Sequence, residues 1–190
     1  MFPVEIFRRT VEKFVAILAQ HQIRFHLTGG ITSAAYGEPR MTQDIDFVVD
    51  PRGLANHLDD VVDAFIMSDF MFDESTLRSA VREGGMFQLL DKQEALKLDI
   101  YARELIKGEL DRSDLLEVFD GLTLPIVSRV DAAASKLVWI SKGSHKSRRD
   151  LRHIFRTSGS TIRQSICELA KDLQLQSLLD EVLAENDEVG

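Results

Sequence analysis

The sequence predicts an α+β fold: a small mixed β-sheet flanked by helices, followed by a helical C-terminal subdomain. Three observations carry this. Two runs, Asp44-Ile45-Asp46-Phe47-Val48-Val49 and Leu96-Lys97-Leu98-Asp99-Ile100-Tyr101, alternate with the period of two that marks a strand. The strand-like segments all precede residue 128. From Ser128 onward the chain reads helical, with breaks at Gly143 and Ser158-Gly159-Ser160. The expected organisation is a core over 1–127 and a helical C-terminal subdomain over 128–190, packed on that core.

The elements follow in order. Val4, Phe7, Val11, Phe14, Val15 and Leu18 recur at helical spacing and predict an amphipathic helix over 4–21. Residues 23–28 read as a strand running into Gly29-Gly30, and 31–36 as a short helix closed by Gly37. Further strands are expected at 44–49, 86–90 and 96–101, with helices near 52–66 and 76–83 between the second and third strands. The segment 122–127 is also strand-like, and Pro125 predicts that it lies at a sheet edge, because proline cannot donate to a ladder. In 130–140 an apolar stripe of Val130, Ala133, Ala134, Leu137 and Val138 predicts a helix. Ile162, Ile166, Leu169, Leu173, Leu178, Leu179, Val182 and Leu183 read as core positions rather than a groove for a partner. No internal repeat or low-complexity tract is present.

Two carboxylates at the spacing of Asp44 and Asp46 need a physical reason. Strand side chains alternate between faces, so both project from one face and crowd each other. Like charges this close raise each other's pKa and destabilise a strand unless a cation sits between them. On the later strand, Asp99 shares a face with Lys97 and Tyr101, opposite Leu96, Leu98 and Ile100. If the two strands are neighbours, three carboxylates cluster, and oxygen-only ligands suit magnesium or manganese. Taken singly, Asp44 also reads as a turn cap, Asp46 as a solvated strand residue and Asp99 as a surface charge. The three together, each beside a β-patterned apolar run, favour metal-assisted chemistry on a nucleotide.

Gly29 and Gly30 supply a complementary feature. A backbone without Cβ atoms can approach a polyphosphate closely, and the helix that follows offers free N–H groups. Thr32 and Ser33 add hydroxyl donors. Neither a P-loop nor a Gly-x-Gly-x-x-Gly fingerprint is present, so the pair draws its weight from its position one short helix before the Asp-x-Asp strand.

Gly29-Gly30, the linker Tyr36-Gly37-Glu38-Pro39-Arg40-Met41-Thr42-Gln43 and Asp44-Ile45-Asp46-Phe47 resemble the signature of the DNA polymerase β-type nucleotidyltransferase superfamily. Within it, the chain is most similar to the abortive-infection type nucleotidyltransferase-like toxins of prokaryotic toxin–antitoxin systems. The resemblance runs over 23–155 and takes in Asp99 as third carboxylate and the stretch 131–150. It implies a nucleotidyltransferase-type sheet and transfer of a nucleoside monophosphate from a nucleoside triphosphate to a hydroxyl acceptor, either a tRNA or other RNA end or a protein side chain. Asp44, Asp46 and Asp99 are then the catalytic residues and ligands of Mg2+ or Mn2+. The nucleotide-binding set is Gly29, Gly30, Thr32, Ser33, Arg40, Lys136 and Asp150. A cognate antitoxin or toxin protein is the implied partner. One departure is that many polymerase-like members carry Gly-Ser where this chain has Gly29-Gly30, which leaves the hydroxyl contact to Thr32 or Ser33.

Lys136 and Asp150 can also be read from their own surroundings. The neighbours of Lys136 three and four positions away are Ala132, Ala133, Trp139 and Ile140, so it does not lie on a charged helix face. Such a lysine either snorkels to the surface or meets an anion, for which a triphosphate or the acidic cluster would serve. Asp150 has a competing explanation, because Ser147-Arg148-Arg149-Asp150 fits a helix capping box. The run 142–156 carries Lys142, Lys146, Arg148, Arg149, Arg152 and Arg156 against one acid. It reads either as a solvated helix face or as the mouth of an anion site.

Composition narrows the remaining classes. At 190 residues and 44% hydrophobic, the chain can bury one good core with an appended helical part. The net charge of −8 argues against a protein that coats nucleic acid non-specifically. A single cysteine, Cys167, excludes an intramolecular disulfide and a multi-cysteine metal site. The five histidines are scattered without a His-x-x-x-His pair, which argues against a zinc hydrolase, and no Gly-x-Ser-x-Gly motif is present. No apolar run reaches membrane-spanning length and the start lacks a signal-peptide pattern, so no membrane association and a cytoplasmic location are expected. Two alternatives to the enzyme remain: a nucleotide-binding or protein-interaction module that keeps the fold without turnover, and a metal-stabilised structural domain.

Overall fold

The computed structural model of the chain describes residues 4–36 and 44–185. The described residues divide into two compact units, one holding 4–31 and 44–127 and the other 32–36 and 128–185.

In the first unit, one seven-stranded mixed sheet runs in the order β3-β4-β5-β2-β1-β7-β6. Its strands are β1 (Phe25–Thr28), β2 (Asp44–Val49), β3 (Phe70–Met71), β4 (Met86–Asp91), β5 (Leu96–Tyr101), β6 (Asp114–Phe119) and β7 (Leu122–Ile126). The helices of this unit are α1 (Val4–Gln20), α3 (Pro51–Asn56), α4 (Leu58–Ile66) and α5 (Glu74–Glu83); α2 (Gly30–Tyr36) begins in it and ends in the second unit. Strand β2 pairs antiparallel with β1 and parallel with β5, and β5 pairs antiparallel with β4.

Period two sorts this sheet into unlike faces. Ile45, Phe47, Val49, Phe87, Leu89, Leu96, Leu98 and Ile100 share the apolar face and are buried. Phe14 of α1 seats there against Phe47, with ring centroids 4.7 Å apart in an edge-on arrangement, and Phe65 of α4 lies 6.2 Å from Phe14. One acid, Asp91, lies on this face and is completely buried. It accepts hydrogen bonds from Thr10 Oγ1 at 2.9 Å, Lys13 Nζ at 2.9 Å and the backbone N–H groups of Gln93 and Glu94. Burial alone would raise its pKa, but these donors outweigh that and lower it.

Several expectations need correction. The buried face of α1 is Thr10, Val11, Phe14, Ile17 and Leu18, while Val4 is exposed. The expected helix over 52–66 is two helices that break at Asn56-His57, residues of modest helix propensity, with Asp50 capping the first through the Arg52 N–H. Strand β7 is interior, between β1 and β6, and the edge on that side is β6, which periodicity did not reveal because Leu115-Leu116 and Val118-Phe119 stand side by side and break the alternation. Pro125 is tolerated because β7 meets β1 only near its end, at Leu27 with Ile126 and through Val127 N–H to Leu27 O.

The second unit holds α6 (Arg129–Ser141), α7 (Lys146–Thr157), α8 (Ser160–Asp172) and α9 (Gln176–Ala184) with the end of α2. Its core comes from Ala132, Ala133, Leu137, Ile140, Leu151, Ile154, Ile166, Ala170, Leu179 and Val182. Tyr36 joins this unit because its carbonyl accepts from Arg129 Nη1 and Thr157 Oγ1 while the Arg129 guanidinium covers its ring at 4.8 Å. The capping box is at Ser128 and Asp131, not at Ser147 and Asp150. Ser128 Oγ accepts the Asp131 N–H at 3.1 Å and donates to the Asp131 carboxylate at 2.6 Å. Ser147 instead sits inside the first turn of α7, against Ser144 Oγ, and His145 occupies the N-cap position. No helix of the described residues is long and apolar enough to cross a membrane.

Candidate active site

The second face of the sheet carries the acids. Parallel pairing of β2 with β5 sets Asp46 opposite Asp99 and Asp44 opposite Lys97, while β4 brings Gln88 opposite Asp99. Alternation along β2 and β5 then puts Asp44, Asp46, Lys97, Asp99 and Tyr101 on one face. Asp99 has both oxygens occupied: Gln88 Nε2 donates to Oδ1 at 3.0 Å and Lys97 Nζ to Oδ2 at 2.8 Å. The same ammonium lies 3.6 Å from Asp44 Oδ2. Burial works against the protonated lysine, but its hydrogen bond with Asp99 and the charges of Asp99 and Asp44 raise its pKa overall. The Tyr101 phenol is pushed upward by burial and then by the negative charges of Asp46, Asp99 and Asp44. The Lys97 ammonium thus stands beside two of three carboxylates, in a field that disfavours ionisation of the Tyr101 phenol.

The Gly29 turn shapes the other side of this cluster. Gly29 adopts the left-handed conformation with φ of 66°, and a Cβ placed on it would fall 1.9 Å from Asp46 Oδ2. The glycine is therefore required for Asp46 to lie against the turn at the end of β1, and Gly30 starts α2 directly after it. Oxygen-only donors on one face and a bare backbone beside them make a set that fits a divalent ion of the magnesium class, which would share the Asp44 and Asp99 oxygens with Lys97.

The structure thus brings Asp44, Asp46, Asp99 and Gly29 together in the first unit. Lys97, Gln88 and Tyr101 join them without having been assigned a role from the sequence. The shared face of Lys97 and Tyr101 with Asp99 was the available signal for two of them, whereas Gln88 needed the β4–β5 register.

In the second unit, Lys136 and Asp150 meet as an ion pair at 2.9 Å, both nearly buried. Asp150 is thus an anion for Lys136, and capping no longer explains the acid. Thr32 and Ser33 lie on α2 and are buried; Ser33 Oγ has no hydrogen-bond partner among the described residues. Arg40 lies outside the described residues. Within the basic run, Arg148 is paired with Glu181 and Glu185, and Arg152 with Glu185. These two arginines bind α9 and the residue after it rather than forming an uncommitted basic face.

The sequence matches, over residues 14–166, the family model of the nucleotidyl transferase AbiEii toxin of type IV toxin–antitoxin systems. Among solved structures the chain is similar to the antibiotic-resistance factor ANT(2'')-Ia, with 14% identity, a TM-score of 0.59, and 95% of this chain and 97% of that chain covered. The same factor in complex with adenylyl-2"-tobramycin gives 12% identity and a TM-score of 0.59 over 90% of this chain and 99% of that chain. The lincomycin-bound lincosamide antibiotic adenylyltransferase LnuA gives 13% identity and a TM-score of 0.51 over 79% and 97%. At these identities the structural likeness is one of fold. A search of curated proteins gave no match.

Proposed function

We propose, for a chain that belongs to the AbiEii nucleotidyl transferase toxin family and is a nucleotidyltransferase, a reaction that moves a nucleoside monophosphate from a nucleoside triphosphate to a hydroxyl on an RNA end or a protein side chain. The observation that supports this best is the register of β2 and β5, which sets Asp46 beside Asp99 with Asp44 on the same face. Asp44, Asp46 and Asp99 are the proposed ligands of Mg2+ or Mn2+. The ion when bound would neutralise triphosphate charge and lower the pKa of the acceptor hydroxyl.

In the reaction, the acceptor oxygen bonds to the α-phosphorus, the bond to the bridging oxygen breaks and pyrophosphate leaves. Asp99 is the proposed acceptor of the hydroxyl proton. Gln88 and Lys97 hold that carboxylate in place through one oxygen each. The Gly29-Gly30 backbone, lacking Cβ atoms, lets phosphate approach next to Asp46. Thr32, Ser33, Lys136 and Asp150 are proposed as nucleotide-binding residues of the second unit. The orphaned Ser33 hydroxyl is a donor that a phosphate oxygen would satisfy.

The test is transfer of each α-phosphate-labelled nucleotide, with Mg2+, into total cellular RNA and protein, by wild type and Asp46→Asn. Label in one fraction, absent with the variant, supports the reaction and identifies nucleotide and acceptor class. Absence of label from both fractions with all four nucleotides, despite metal-dependent nucleotide binding, favours the binding module. A toxin role and a cognate antitoxin are proposed from the family, and growth arrest on expression of wild type but not of Asp46→Asn is the expected sign.

A further inference from the structure

The structure assigns a second metal site, for zinc or a similar transition ion, to His21, His57 and Asp60 in the first unit. Among the described residues, these three offer ligand atoms that all lie within 4.8 Å of one another. His57 Nδ1 and Asp60 Oδ2 are 3.6 Å apart. Two ligands on a tetrahedral zinc, with bonds of about 2.1 Å, stand roughly 3.4 Å apart, so this pair already has the required edge. The His21 ring lies 5.3 Å from that of His57 between centroids, tilted by 36°, within reach of the same ion.

The backbone holds all three side chains at fixed points. His21 is in the turn that ends α1, where its N–H donates to Leu18 O and Gln22 takes a left-handed φ of 53°. His57 is the N-cap residue of α4, yet its side chain makes no capping bond, and Asp60 follows in the first helical turn. Two of the three, His21 and Asp60, line an open cleft of about 620 Å³ together with Asp63 and Asp69, so an ion can enter from that side. Two imidazoles with one carboxylate suit zinc, nickel or cobalt, whereas the all-oxygen set at Asp44, Asp46 and Asp99 suits magnesium. A bound ion would tie the end of α1 to the α3–α4 junction. The scattered histidines hid this, because His21 and His57 meet only through the fold.

Titration of Zn2+ by calorimetry into the full chain without any affinity tag, paired with thermal melts, tests the site. Wild type should bind one equivalent, with Tm raised by about 5 °C or more at hundredfold excess over Kd. His21→Ala and His57→Ala should each lose both signals, judged against their own metal-free Tm, and Asp46→Asn should keep them. Failure of wild type to respond, a response that persists in either histidine variant, or one lost in Asp46→Asn would each overturn the assignment.

Discussion

The two faces of the sheet each set a lysine against aspartate, and the surroundings differ. On the helix-covered face, Lys13 meets Asp91, which is fully buried and also holds Thr10 and two backbone N–H groups, so its acceptor capacity is filled. On the other face, Lys97 meets Asp99 and Asp44 with Asp46 alongside, so three carboxylates gather on one face around this ammonium. A charge matched by donors from α1 and the β4–β5 turn ties helix to sheet. Three carboxylates gathered on one face repel one another and suit a ligand that brings positive charge.

This contrast orders the expected effects of substitution. Asp46→Asn should lower transfer at least ~100-fold, the low end for a lost acid–base or metal-ligand group, without lowering Tm, since it relieves repulsion. Asp91→Ala should act the other way: about 2 to 4 kcal/mol of stability lost by leaving Thr10 and the Gln93 and Glu94 N–H groups without their acceptor, with KM for nucleotide unchanged in the folded fraction. Because the folded pKa of Asp91 is depressed, its stabilisation is present above the unfolded carboxyl value and disappears as pH falls through the folded one. Wild type and the alanine variant should therefore converge in Tm under acid, which pH-dependent melts would read.

The ion pair of the second unit sharpens the division. Lys136→Met should destabilise by a comparable amount, through the uncompensated Asp150, and a compensating Asp150→Leu should restore much of it. If Lys136 also binds nucleotide, KM rises in both the single and double variants; unchanged KM in the restored protein would make the pair purely structural. Gly29→Ala should destabilise less than loss of either ion pair, by about 1 to 3 kcal/mol from a strained φ. Its Cβ must displace the Asp46 carboxylate, so the loss of transfer should be larger than that cost alone explains.

What could be read from the sequence was what local periodicity encodes. Asp44 and Asp46 share a face because they stand two positions apart in a strand, and Lys97 and Asp99 do so for the same reason. That Asp46 faces Asp99 depends on the parallel β2–β5 register, a long-range fact supplied by the resemblance rather than by spacing. The α+β class and most strands were legible from alternation. Strand β6 was not, because Leu115-Leu116 and Val118-Phe119 break the alternation, and neither was β3, whose two residues are too few to show a period. Ser147-Arg148-Arg149-Asp150 and Ser128-Arg129-Val130-Asp131 both satisfy the capping pattern, and only the helix starts, set by packing, decide between them. The partners of Lys136 and Asp91 lie 14 and 78 positions away, beyond the reach of any local rule.

The most direct test of the account is the initial transfer rate and Tm of Asp46→Asn beside wild type, at saturating Mg2+ and nucleotide. The account predicts a rate at least ~100-fold lower with Tm unchanged or higher. A Tm lowered by several degrees, or a rate that survives the substitution, would place Asp46 among the structural charges and contradict it.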